Sequence, residues 1–377
     1  MLNTQNYITN NQALSEVIKL IDQAKLVAID TEFTREKTYY PILSLIQIAV
    51  NNSNQQKLFI IDALSGIDLQ PLITIIFDRN ITKIFHASLQ DLQIFCQKFG
   101  RIEKKLLEDL AFSVIDTQIM ANFCGFSFNT GYSNLAEILL QKNIDKTLQR
   151  SDWQKRPLSL KQLEYALCDV IFLEEIYQKL SEVLKQKKRQ EWYEQEMRIF
   201  VDKATTESVE NLFKNFSFKG KSREQINKIK NLILWREGWA KKLNLPRQHF
   251  MRDYVVERIA YEKDFDLTLD EQKISEIKKI INEDFDEDKI FAHKISSKIS
   301  SKGENNFMSD EQKNLYKKAK ELVAKIAREE NLKEQILITN NTLKNLICDN
   351  KSIEKTLTGW RYEIIGEPLK KLIATYS

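Results

Sequence analysis

Apolar positions follow two rhythms along the chain, and the change between them divides it. Lys25-Leu-Val-Ala-Ile-Asp30 is a short apolar, β-branched run, and Leu43 to Val50 (LSLIQIAV) and Leu58 to Ile61 (LFII) are two more. Runs of this length and composition predict strands. A fourth run, Lys83 to His86, leads into Ser88 to Gln97, whose Leu89, Leu92, Phe95 and Cys96 recur at helical spacing. Ser88 is placed to cap that helix. From Leu135 onward the period is helical, interrupted at Arg156-Pro157, and Ser159 to about Lys188 reads as one long helix capped by Ser159. Strands first and helices later predict an α/β fold.

Beyond about Thr205 the strand signals fade. Arg223 to Leu243, Asp253 to Tyr261 and Asp270 to Ile281 form amphipathic helical segments, and Asn282 to Asp288 is a charge-rich connector. After the polar stretch Ser296 to Asn306, a second helical set runs from Ser309, in which Trp360-Arg361 parallels Trp235-Arg236 of the first. A chain of 377 residues exceeds one ordinary core, since domains run to roughly 100–200 residues. The expected division is 1–205, 206–288 and 289–377.

Composition narrows the class. With 42% hydrophobic residues, 9 Gly and 5 Pro, the chain reads as globular and helix-rich. No run approaches the roughly 20 apolar residues of a membrane span, and the start lacks the regions of a signal peptide. Cys96, Cys124, Cys168 and Cys348 lie far apart with no CxxC pair, so neither a thiolate zinc site nor a disulfide framework is expected. These features together predict a cytoplasmic protein with no membrane association. The net charge of +4 is small, but Lys214 to Arg258 carries 12 Lys and Arg against 4 Asp and Glu, and Ile259 to Asp288 carries 4 against 11. A basic module beside an acidic flank suits a phosphate-binding surface, or two solvated helical faces.

Three places carry candidate chemistry. Asp30-Thr31-Glu32 sits at a strand end, where the period of two points both carboxylates to one side. Asp91 lies near the start of the helix after His86. Asp169 follows Tyr165 by one helical turn, among Ala166, Leu167, Val170 and Ile171. A carboxylate in such apolar company calls for a compensating cation, either a metal or a neighbouring Lys or Arg. The three histidines, His86, His249 and His293, have no zinc-site spacing.

Taken together, Asp30-Thr31-Glu32-Phe33, His86-Ala-Ser-Leu-Gln-Asp91 and Tyr165-Ala-Leu-Cys-Asp169 resemble the three exonuclease motifs of the DEDD superfamily, in its tyrosine branch. Thr34 to Pro41, Asp116-Thr117-Gln118 and Ser151 to Ser159 resemble the ribonuclease D family in particular, and the resemblance covers about residues 20 to 200. It implies a ribonuclease H-like exonuclease domain, a mixed sheet flanked by helices. It also implies a 3′→5′ exoribonuclease that releases nucleoside 5′-monophosphates, with Asp30, Glu32, Asp91 and Asp169 binding two divalent metal ions, Mg²⁺ or Mn²⁺, and Tyr165 orienting the attacking water. His86, Asp116 and Asp152 are expected to shape the fold or substrate channel.

The helical modules resemble the helicase-and-RNase-D C-terminal (HRDC) domain. In the first the resemblance rests on Leu232 to Glu237, Leu245-Pro-Arg247 and Met251 to Asp253, and in the second on Gly359 to Arg361 and Leu369 to Leu372. Trp235 and Trp239, four residues apart, read as core before they read as base-stacking platforms. The resemblance implies RNA as partner, in particular tRNA precursors with 3′ extensions, and no obligatory protein partner. A DNA-directed 3′→5′ exonuclease and an inactive nucleic-acid-binding protein remain open as alternatives.

Overall fold

The computed structural model describes residues 6–52, 55–100, 103–205, 210–262, 269–285, 308–348 and 352–376. The chain divides into two compact units, one made of residues 1–32, 43–205 and 306–377, the other of 33–42 and 206–305. Among the described residues no helix is long and apolar enough to cross a membrane.

The first unit is built on a mixed six-stranded sheet. Its strands are β1 (Tyr7–Ile8), β2 (Leu26–Thr34), β3 (Ile42–Asn52), β4 (Gln55–Asp62), β5 (Thr82–Phe85) and β6 (Val114–Asp116), in the order β1-β4-β3-β2-β5-β6. β3 and β4 are antiparallel, whereas β5 runs parallel to both β2 and β6. The four expected runs are β2 to β5. Val27, Ala28 and Ile29 are all but fully buried, because a strand covered on both faces is apolar at every position rather than at alternate ones.

Helices α1 (Asn11–Ala24), α2 (Gln70–Phe77), α3 (Leu89–Phe99), α4 (Lys104–Ser113), α5 (Thr117–Cys124), α6 (Tyr132–Leu140), α7 (Leu160–Cys168), α8 (Leu173–Gln186) and α9 (Gln190–Thr205) flank this sheet. α7 and the start of α8 cover one face. Leu45 and Ile60 pack there with Tyr165, Ala166 and Leu167, while Ala28, Ala49 and Ile84 pack with Val170 and Leu173. Alternation along β2 then places Asp30 and Glu32 on the face of Ala28, beneath that helical layer.

The single helix expected from Ser159 to Lys188 is corrected. Ser159 does cap it, in a capping box with Gln162, but α7 ends at Cys168 and α8 begins at Leu173. The Tyr132 hydroxyl donates to the Cys168 carbonyl (2.9 Å) and accepts from the Phe172 N–H (3.1 Å). In a continuous helix those two backbone groups would bond to each other, so the phenol interrupts the ladder.

The C-terminal helices of this unit begin with Asp310–Glu329, started by a Ser309–Gln312 capping box. Trp360, 1% exposed, stacks on Trp192 of α9 at 5.0 Å and meets Phe123 of α5 edge-on at 5.3 Å. Arg361 pairs with Glu196 at 2.5 Å, and Arg189 with Glu330 at 3.2 Å.

The second unit is helical, with Arg223–Leu243, Asp253–Tyr261 and Glu271–Ile280 close to the expected bounds. Its core joins Ile229, Leu232, Ile233, Val256, Ile259 and Ile277. Residues 33–42 belong to it through Tyr39, whose hydroxyl donates to Glu237 and whose N–H donates to the Asn244 carbonyl at 3.2 Å. Arg247 closes this group on Glu237. Trp235 and Trp239 both donate to Glu276 at 2.8 Å, so their indole N–H groups are engaged within the fold. The connector beyond Phe285 and the stretch Ser296 to Asn306 lie outside the described residues.

Candidate active site

Strand β2 carries Asp30 and Glu32, both half-buried, on one side. Thr31 between them is buried, and its hydroxyl donates to Asp91. Asp91 is 7% exposed in the first turn of α3, where a carboxylate also benefits from the positive end of the helix dipole. Ser88 precedes that helix as expected, but its hydroxyl makes no cap. It donates instead to Asp116 (2.9 Å), which also accepts from the Ser88 and Ala87 N–H groups at 2.8 and 3.3 Å. The same carboxylate caps α5 through the N–H groups of Gln118 and Ile119. Asp116 therefore ties two helix starts together, one of which presents Asp91.

Asp169 stands half-buried at the C-terminal end of α7, in the opened turn before α8. Tyr165, one turn earlier, lies in the cluster around Trp153, with ring centroids 5.9 Å apart. Arg156 steadies the preceding loop by a two-pronged bond to Asp62, both distances 2.7 Å, an arrangement that fixes direction as well as proximity.

The acids interact. Burial pushes the proton affinity of Asp30 well up, and Asp91, Asp169 and Glu32 push it further. Burial, then Asp169 and Asp91, raise Glu32 to about 8. Asp169 is raised to about 7 by burial, partly opposed by Lys146. Burial likewise raises Asp91 to about 6, against the Thr31 hydrogen bond. Burial pushes Tyr165 up as well, helped by the charges of Asp169, Glu32 and Asp30. The structure thus brings all five expected site residues into one electrostatic neighbourhood in the first unit. Carboxylates gathered where burial disfavours their charge are oxygen donors of the kind a hard divalent ion takes. Among the described residues no three acid, histidine or cysteine groups stand close enough to enclose an ion as they are.

His86 donates through Nδ1–H to the Thr117 hydroxyl at 2.9 Å, since that hydroxyl gives its own proton to the Phe85 carbonyl, and burial lowers His86 to about 4. It is neutral near pH 7 and faces a hydroxyl. Asp152 is exposed and accepts from the Gln154 N–H at 3.0 Å. Sequence reasoning missed Thr31 as the partner of Asp91 and Tyr132 as the group at the α7 break. The first could have been sought beside two motif acids. The second lies in a stretch without any motif.

A family model described as 3′-5′ exonuclease matches residues 5–185. Ribonuclease D of Gluconacetobacter diazotrophicus is 36% identical over 255 residues, which are 67% of this chain and 62% of that protein. Ribonuclease D of Bartonella henselae is 29% identical over 381 residues, 97% of this chain and 89% of that protein. The match therefore spans less than two thirds of the first relative's length and most of the second's. The crystal structure of Escherichia coli RNase D, described as an exoribonuclease involved in structured RNA processing, superposes with a TM-score of 0.73 over 98% of both chains at 24% identity. At that identity the likeness is one of fold.

Proposed function

Since this chain belongs to the ribonuclease D family, we propose that it is a metal-dependent 3′→5′ exoribonuclease releasing nucleoside 5′-monophosphates. The observation that carries this reading is geometric: Asp30 and Glu32 share one side of β2, Thr31 between them holds Asp91, and Asp169 lies in the turn between the two helices packed on that sheet face. Burying several carboxylates together is unfavourable unless they have a cationic partner. These four residues would hold two divalent ions, Mg²⁺ or Mn²⁺, which would supply activation of water and stabilisation of the departing 3′ oxygen. Thr31 fixes one oxygen of Asp91 toward that task. Tyr165 keeps its proton, because its environment raises it above an ordinary phenol, and it orients the attacking water rather than deprotonating it.

The domain division proposed with this reading is an exonuclease domain at 1–205 and HRDC-like modules at 206–288 and 289–377, although by packing 33–42 falls with 206–305 and 306–377 with 43–205. The first module contacts the RNA backbone through exposed cations such as Lys214, Arg223, Lys242 and Arg252. Lys228, Arg236 and Arg247 are spent on ion pairs within the fold. The substrates are tRNA precursors with 3′ extensions, met in the cytoplasm, where the four free cysteines would stay reduced.

Incubating the protein with 5′-end-labelled tRNA precursor and matched single-stranded DNA, with and without EDTA, tests this. The expected result is stepwise 3′ shortening of the RNA that EDTA abolishes. Equal digestion of DNA would reassign the substrate, and binding without digestion would leave an inactive binding protein.

A further inference from the structure

The break between α7 and α8 has no cause in its own sequence. From Tyr165 to Ile176 there is neither Gly nor Pro, and sharp helix breaks ordinarily trace to those residues, to a bulge, or to a group inserted in the ladder. Here the inserted group is the Tyr132 hydroxyl, which donates to the Cys168 carbonyl and accepts from the Phe172 N–H at 2.9 and 3.1 Å. Around it the chain tightens. The N–H groups of Val170 and Ile171 both reach the Leu167 carbonyl at 3.3 and 3.2 Å, and the helix resumes with Ile176 N–H on Phe172 at 2.9 Å. Asp169 lies inside this opened turn. The phenol is itself anchored. Tyr132 opens α6, and its ring lies 5.9 Å from that of His86, which bonds Thr117, whose hydroxyl donates to the Phe85 carbonyl at the end of β5.

We propose that Tyr132 is a positioning residue for the nuclease site: its hydroxyl occupies the backbone rung between Cys168 and Phe172 and holds open the turn that presents Asp169 to the metal. Without the hydroxyl the Cys168 carbonyl and Phe172 N–H lose their shared partner and are left to pair directly, in the i to i−4 bond of a continuous helix. The helix then closes through residue 169 and turns its carboxylate away. The inference rests on Asp169 being a ligand, and the test separates the two.

Mn²⁺ binding to the full-length protein is measured by calorimetry for wild type, Tyr132→Phe and Asp169→Asn, alongside kcat and KM on a short oligoribonucleotide. Tyr132→Phe keeps the ring, so Mn²⁺ affinity and kcat should each fall about tenfold, the lower end for a group supporting a metal ligand, with KM unchanged. A folded Tyr132→Phe with wild-type Mn²⁺ affinity and kcat, beside a weakened Asp169→Asn, overturns the proposal. Wild-type Mn²⁺ affinity in Asp169→Asn overturns the ligand assignment beneath it. Hydrogen exchange on the wild-type protein needs no variant to fold. The Phe172 amide should be as protected as the amides within α7, and exchange at the rate of a free amide contradicts the inserted hydroxyl.

Discussion

Asp30 has three carboxylates as electrostatic neighbours, and that arrangement sets the behaviour of the site before any substrate arrives. Each acid has a folded-state proton affinity above its unfolded value, with Asp91 near 6, Asp169 near 7 and Glu32 near 8. Such a group's stabilising contribution is fully present below the unfolded pKa of about 4 and is lost as pH rises through the folded value. The metal-free cluster therefore weakens the fold across roughly pH 4 to 8, the window in which cation binding must expel protons. The rise in Tm on adding Mn²⁺ should be larger at pH 8 than at pH 6, and an equal rise at both would contradict the cluster as the binding site. Asp169→Asn removes one repelling charge without changing shape. It should raise the metal-free Tm at pH 8 while cutting turnover by roughly 10²-fold or more, a common exchange of activity for stability. These acids became candidates through the resemblance of three motifs to a known family, since a DxE at a strand end or a Tyr–Asp pair one turn apart says little alone. Thr31 and Tyr132 did not, since their partners lie 60 and 36 residues away along the chain.

At the scale of elements, the presentation of Asp91 depends on a single buried carboxylate. Asp116, 0% exposed, accepts from the N–H groups of Ala87 and Ser88 before α3 and of Gln118 and Ile119 in α5. Asp116→Ala orphans several buried donors, each costing about 1–3 kcal/mol, some of it recovered by water. Denaturant unfolding should show a loss of about 3 kcal/mol, and Asp116→Asn, which keeps one acceptor, should lose less. An unchanged midpoint for Asp116→Ala would refute the tie between the two helix starts. The central strands were readable as β-branched apolar runs. β1 and β6, at two and three residues, are too short to carry a period. α1 could have been found, since Leu14, Val17 and Ile21 recur at helical spacing. The break at Cys168 could not, because its cause is a tyrosine from another helix.

Across the whole molecule, sequence order and packing diverge. Residues 306–377 share a unit with 43–205, and Trp360, a large side chain 1% exposed, packs there against Trp192 and Phe123. Trp360→Ala should cost about 3–5 kcal/mol, as for other large core truncations, and a loss under about 1 kcal/mol would show the packing to be dispensable. Removing residues 206–377 should raise KM for tRNA-sized substrates, but it also strips this packing. Neutralising Lys214, Arg223, Lys242 and Arg252 is the cleaner test of RNA binding. Each lysine or arginine withdrawn from a phosphate should flatten the log–log salt dependence of binding by about 0.7, and an unchanged slope would leave the basic stretch a solvated face. Charge counting located that stretch but could not separate exposed cations from Arg236, which is 3% exposed and paired with Asp253. The central claim is that Asp30, Glu32, Asp91 and Asp169 together hold the catalytic cations. Anomalous diffraction from crystals grown with Mn²⁺ addresses it most directly. The account predicts two manganese peaks about 3.5–4 Å apart, bounded by those four carboxylates. Peaks at other side chains, with none in this cluster, would contradict it.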